Sequence, residues 1–212
     1  MSITERVRRD YARLARPYDR LWRRYLETTV ARTLEQLDMR GAERVLDVGC
    51  GTGQLLRVLA DEHPGLELHG LDLTPQMLGR AKRRLGDAAA LLLGSADRLP
   101  YADGTFDVVV SSSVLHALSG TQDRAIAEWV RVLRDGGTLV VTDWRADHPG
   151  TWARVQALRV VGRGHYRPLS VADLVTGLLA AGVEVDRLET YRAGTWGLVS
   201  ARGRRRPGRA LV

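Results

Sequence analysis

The chain has 212 residues, 44% hydrophobic and 27% charged, with a formal net charge of +7. That is enough apolar sequence for the core of one soluble enzyme domain. One cysteine, Cys50, rules out an intramolecular disulfide, and the five histidines are too scattered for a zinc site, so no metal is expected. No apolar run reaches the ~18 residues of a membrane-spanning helix and the N-terminus is charged, which points to a cytoplasmic protein.

The positive charge sits at the ends. Residues 1–40 carry ten arginines and six acids (+4), and residues 202–212 carry five arginines and no acid (+5), leaving 41–201 at −2. A surface that tracks phosphates would cross the body of the domain, so nucleic acid is not an expected partner. Three regions follow: an N-terminal helical lid (1–40), a ligand-binding domain (41–201) and a basic, disordered tail (202–212).

Within the lid, Val7, Tyr11, Leu14, Tyr18, Leu21 and Tyr25 recur at spacings of three and four, with arginines on the opposite side and a break near Pro17. Two readings stand. Either the apolar face simply covers the core, or the segment is a lid over a substrate mouth that also touches anionic membrane through its basic side.

Val45–Val48 reads as a short strand that carries Asp47 and runs into glycines at 49, 51 and 53. Such glycines let the backbone turn tightly and approach a ligand. Their spacing is not that of a dinucleotide site, because the third glycine comes one residue early and Gln54 holds its place. A nicotinamide-dependent reductase is therefore disfavoured. Asp47 suits a cationic group such as the ammonium of a bound amino acid. A helix is predicted from Gln54 to about Asp61, then a second strand from Glu67 to Leu71, ending at Asp72. Asp72 falls 19 residues beyond Gly53, near the offset at which a strand-end acid accepts hydrogen bonds from ribose. Thr74-Pro75 then starts a helix. A third strand, Ala89–Leu93, leads to Gly94-Ser95-Ala96-Asp97. A fourth, Val108–Ser111, precedes Ser112 and His116, and Leu133–Leu139 reads as a turn into strand five. Trp144–Leu169 is one long connection with a short helix from Trp152 to Val161. Ser170 caps a helix through about Ala181. Val183–Thr190 and Thr195–Ala201 then form a hairpin.

The stretch Val45–Gly53, with Asp72 and the run Leu99–Asp107 after it, resembles the class I S-adenosylmethionine (SAM) dependent methyltransferases, and the Tyr18-Asp19 pair resembles the Tyr-Asp that precedes the core in many small-molecule members, including quinone-biosynthesis and phospholipid N-methyltransferase types. The resemblance implies a Rossmann-like α/β fold: a seven-stranded, mostly parallel sheet with helices on both faces and a C-terminal antiparallel hairpin. It implies SAM as cofactor and S-adenosylhomocysteine as product. The expected cofactor residues are Asp47, Gly49, Gly51, Gly53, Asp72, Leu73, Ala96, Asp97 and Ser112, with Asp97 on the adenine amino group. The expected acceptor is small, apolar or lipid-like, a quinol, phenol or amine. Tyr18, Trp144, His165 and Tyr166 are candidates to hold it, and the same residues could merely pack the long loop onto the sheet. His116 is the candidate base, since an in-line methyl transfer needs alignment and, for some acceptors, removal of a proton. A monomer or weak dimer is expected. A non-catalytic SAM-binding protein stays open, because no single obligatory residue marks methyl transfer.

Overall fold

The computed structural model describes residues 2–39 and 43–208. Strands β1 (Arg44–Val48), β2 (Glu67–Asp72), β3 (Ala90–Leu93), β4 (Phe106–Ser112), β5 (Leu133–Trp144), β6 (Val183–Ala193) and β7 (Trp196–Arg205) form one seven-stranded sheet in the order β3-β2-β1-β4-β5-β7-β6. Pairs from β3 to β5 are parallel, while β7 lies antiparallel between β5 and β6. This is the fold expected from the sequence. The strand order reverses between β1 and β4, which opens a crevice at their carboxyl ends.

The strands are buried on both faces, so they read as continuous apolar runs whose alternate side chains enter different cores. On one face Leu46, Val109, Leu139 and Val141 pack with Ile126 and Trp129 of α6 (Gln122–Val132) and Leu174 and Leu178 of α8 (Val171–Ala180). On the other, Val45, Val108, Val110 and Val140 meet Leu55, Leu56 and Leu59 of α4 (Gln54–Glu62) and Ala81 and Leu85 of α5 (Pro75–Leu85). Helix α6 also fixes the loop after β3: the Trp129 indole donates to the Ala96 carbonyl at 2.9 Å, and Glu128 accepts from the Leu99 amide at 2.7 Å.

The N-terminal segment divides into α1 (Ile3–Leu14), α2 (Tyr18–Leu21) and α3 (Arg23–Leu34), broken around Pro17 as the sequence suggests. Helix α3 is part of the core. Val30 and Leu34 pack against the α4–α5 side, and beyond the helix the buried Gln36 donates to Ser200 at 2.6 Å. The boundary expected at residue 40 lies outside the described residues. At the other end the tail begins later than expected. Arg202–Arg205 belong to β7, because their side chains have partners: Arg202 pairs with Asp186 at 2.7 Å, and Arg205 pairs with Asp135 at 3.1 Å and donates to the carbonyls of Val130 and Arg131. Residues 209–212 lie outside the described residues. In the long connection, α7 (Pro149–Val160) starts three residues before the expected helix, with proline at its first turn.

Replacing Trp129 by Phe keeps most of the buried ring and leaves the Ala96 carbonyl without its donor. The expected cost is about 1–3 kcal/mol, seen as a lower urea midpoint at unchanged slope.

Candidate functional site

The turn after β1 is built around its glycines. The amides of Gly49 and Cys50 both donate to the Leu71 carbonyl, at 2.7 and 3.0 Å, which ties the turn to β2. Gly49 has φ +78°, and a Cβ there would stand 2.2 Å from Val114. Gly53 has φ +77° at the start of α4, where a Cβ would press on Leu85 and Ala81 of α5. No side chain but hydrogen fits at either position.

Above this turn lies a cavity of about 300 Å³. Gly49, Gly51, Asp72 and Leu73 form its floor, Met77, Ser95, Ala96 and Val114 its walls, and Ile3, Val7, Tyr11 and Tyr18 its roof. Asp72 is held in place by the Gly51 amide on one oxygen (2.9 Å) and the Thr74 amide on the other (2.8 Å). Asp47 lines a smaller space of about 60 Å³ behind the turn, with Tyr18, Gln54 and Ser113.

A second cavity of about 340 Å³ adjoins the first and is largely aromatic. Tyr25, Trp22, Trp144, Tyr166 and Trp196 line it, with Arg154 and Arg163 towards its outer side. Trp144 is the centre of this wall, stacked on Trp196 at 4.0 Å and on His116 at 3.5 Å between ring centroids. The two cavities share Tyr11, Tyr18 and Ser113. Ser113 has φ +63°, alone among non-glycine residues in the described chain. A left-handed residue at a strand end is strained, and such strain collects at functional positions. Its hydroxyl lies 2.5 Å from that of Tyr25, which in turn accepts from the Trp144 indole at 2.9 Å.

The roof is fastened by Asp19. Its carboxylate accepts from Thr52 (2.7 Å) and Gln54 (3.2 Å) on the glycine turn and from Arg80 (3.1 Å) and Arg84 (2.8 Å) on α5. Burial works to raise its pKa, but these hydrogen bonds outweigh burial and hold Asp19 down to about 2.

This geometry agrees with the chain's relatives. A methyltransferase-domain family matches residues 46–141. A demethylmenaquinone methyltransferase of Beutenbergia cavernae is 40% identical over 140 residues, 66% of this chain and 52% of that protein. An uncharacterised methyltransferase of Synechocystis sp. is 34% identical over 175 residues, 80% of each chain. The chain belongs to the class I SAM-dependent methyltransferases. It aligns with only about half the length of the Beutenbergia relative. Among solved structures, the methyltransferase in a Haloferax volcanii complex with the Trm112 activator has the same fold, with a TM-score of 0.81 at 20% identity over 92% of this chain and 97% of that one.

The family's cofactor is SAM, and the first cavity fits it. SAM is cationic, and the site holds unspent negative charge. Burial, with the Asp72 carboxylate beside it, pushes Asp47 up to about 7, and burial raises Asp72 despite its two amide donors. A cationic methionine end would relieve that cost, and Asp72 keeps lone pairs free for hydroxyl donors. Leu73, Met77, Ala96 and Val114 give an apolar slot for a flat ring.

Of the residues expected from sequence, Gly49, Gly51, Asp72, Leu73, Ala96, Asp97 and Ser112 line the first cavity. Asp47 lies behind it, and Gly53 serves helix packing. Asp97 is engaged on the protein itself, accepting from Ser95 at 2.5 Å and pairing with Arg124. Tyr18, Trp144, Tyr166 and His116 come together at the second cavity. His165 lines neither; its ring lies against Tyr166, and its Nε2 is 3.6 Å from Asp10. Sequence reasoning missed Tyr11, Tyr25, Ser113 and Trp196. Ser113 left a faint trace, as the last of three consecutive serines at the end of β4, and Tyr11 and Tyr25 stood in the apolar stripe. Trp196 and Arg154 gave no signal.

Two predictions follow from the charges. If SAM's ammonium pairs with Asp47, affinity should rise as pH climbs through about 7. Calorimetry should find binding about tenfold weaker at pH 6 than at pH 8, and Asp47→Asn should remove that dependence. Stability of the free protein moves the other way. The folded pKa of Asp47 is raised, so its contribution is full below about pH 4 and is lost as pH passes about 7. For the roof, Asp19→Ala strands two arginines and should weaken SAM binding about tenfold, with faster tryptic cleavage after Arg20.

Proposed function

We propose that this protein methylates a small, planar, apolar acceptor of the quinol or phenol type, using SAM bound over the glycine turn. The observation that carries the reading is the junction of a carboxylate-floored cavity with an aromatic one at Tyr11, Tyr18 and Ser113. Flat aromatic walls favour a flat ring by stacking and area burial. Two arginines in the same wall disfavour an ammonium acceptor and suit one with electron-rich or anionic oxygen. The demethylmenaquinone methyltransferase among the relatives acts on such a ring, which supports the choice.

Bound SAM supplies a methyl group already activated by its sulfonium. The chain's own residues have the remaining tasks. The aromatic box orients the acceptor towards Ser113 and excludes water, an arrangement that can be worth ~7–11 kcal/mol. The proton that the acceptor sheds is assigned to His116. The Nδ1 of His116 lies 2.7 Å from Asp143 Oδ1. A carboxylate only accepts, so Nδ1 carries the hydrogen and Nε2 holds the lone pair. That Nε2 is buried with no hydrogen-bond partner among the described residues, and His116 lines the aromatic cavity. Asp143 is itself fixed by the amides of Leu115 at 2.7 Å and Trp144 at 2.6 Å.

Transfer of a labelled methyl group from SAM to a water-soluble quinol tests the reading. His116→Gln should bind SAM as the parent does and lose about 10²-fold or more in kcat. An unchanged kcat in that variant would reduce His116 to a packing residue. No transfer to any quinol or phenol would sink the acceptor assignment.

A further inference from the structure

The aromatic cavity opens outward into a shallow groove that shares Trp22, Arg154, Arg163 and Trp196 with it. Arg20, Arg23 and Arg24, from the corner between α2 and α3, complete that groove. The mouth of the proposed acceptor site is thus ringed by arginine.

Apolar side chains stand in water beside the same mouth. Leu21 at the corner is 60% exposed, and on the α7 side Trp152 is 61%, Val160 87% and Val161 69% exposed. Helix α7 is unusual for a surface helix: its sequence contains two arginines and no acid, and Ala153, Ala157 and Val160 face solvent with them. No Asp or Glu occurs between Pro149 and Ala172. The nearby acids are few and engaged. Asp19 turns inward to Arg80 and Arg84, Glu27 pairs with Arg23 at 3.4 Å, and Asp10 lies 3.6 Å from Arg163.

Protruding Trp, Val and Leu among arginines that outnumber the nearby acids match the interface of an anionic bilayer, where the apolar tips enter the headgroup region and the guanidinium groups meet phosphates. An acidic protein partner would satisfy the arginines and leave the apolar tips without a counterpart. Helix α1 is not this surface, since its Val7 and Tyr11 are spent on roofing the cavities. We propose that the α2–α3 corner and the outer face of α7 dock on anionic lipid, so that a membrane-dissolved acceptor enters the aromatic cavity without crossing water. The entry route rests on the acceptor reading above; the docking does not.

The test is co-sedimentation of the full chain with phosphatidylcholine vesicles, with and without phosphatidylglycerol, at low and high salt. Binding to the anionic vesicles alone, weakened by salt, is the expected result. The pair Leu21→Asp with Val160→Asp should lower vesicle partitioning about tenfold or more, and Arg20→Glu with Arg23→Glu should do the same. Calorimetric SAM affinity, retained in both variants, certifies their fold. Equal binding to neutral vesicles, no binding to anionic ones, or wild-type partitioning by either variant would overturn the proposal. So would capture of an acidic acyl carrier protein, in place of vesicles, through these residues. Intact vesicle binding without turnover of any quinol would leave docking standing and remove the acceptor reading.

Discussion

One carboxylate holds the functional half of this molecule together. Residues 3–25 supply the roof of the cofactor cavity and much of the wall of the aromatic one, and Asp19 joins them to the body from four directions. Two of its donors belong to the glycine turn and two to α5. Arg84 also donates to the Thr52 carbonyl, so one guanidinium holds both the roof and the turn. Even partial burial of a carboxylate is costly unless it is paired. The depressed pKa of Asp19 shows that the pairing outweighs that cost. Closure of the roof and the shape of the cofactor turn are therefore a single electrostatic event.

Inside that enclosure the two cavities are chemically opposite. Around the turn, Asp72 lines the first cavity and Asp47 the smaller space behind it, and burial leaves the charge of both poorly met, a state that a cation resolves. Across Ser113 the lining is indole and phenol, where a neutral ring gains area and stacking. The border is a strained residue held by the Tyr25–Trp144 hydrogen-bond chain. Methyl transfer needs its reactants aligned across such a border, and a rigid, dry junction supplies alignment without further chemistry.

The body of the fold was legible in the sequence because its signals are local. An apolar strand, a glycine turn and an acid at fixed spacing each announce themselves within a few residues, and the core of each strand and helix from β1 to α5 followed from them. The acceptor cavity was legible only in part. Tyr18, Trp144 and Tyr166 were found because they flank recognisable breaks. Tyr25, Ser113 and Trp196 come from three distant segments and meet only once the sheet has formed. His165 misled for the same reason: neighbouring Tyr166 in sequence, it turns to Asp10 and away from the cavity. The arginines at the C-terminus read as a solvated tail because strand pairing has no charge signature, and only the acids across from Arg202 and Arg205 turn that segment into β7.

The net charge of +7 takes on meaning only with this geometry. Arg202 and Arg205 each pair with an acid, and Asp19 offsets one of the two charges of Arg80 and Arg84, so these sets contribute little net field. Arginines in excess of the nearby acids cluster instead at the mouth of the aromatic cavity, while the buried carboxylates Asp47 and Asp72 lie around the glycine turn. A cationic group is favoured at the buried carboxylates and disfavoured at the arginine-ringed mouth, and an anionic surface the reverse. A chain with the same total charge spread evenly would bind both ligands less selectively, so the placement of charge, more than its amount, is the property that the fold has organised.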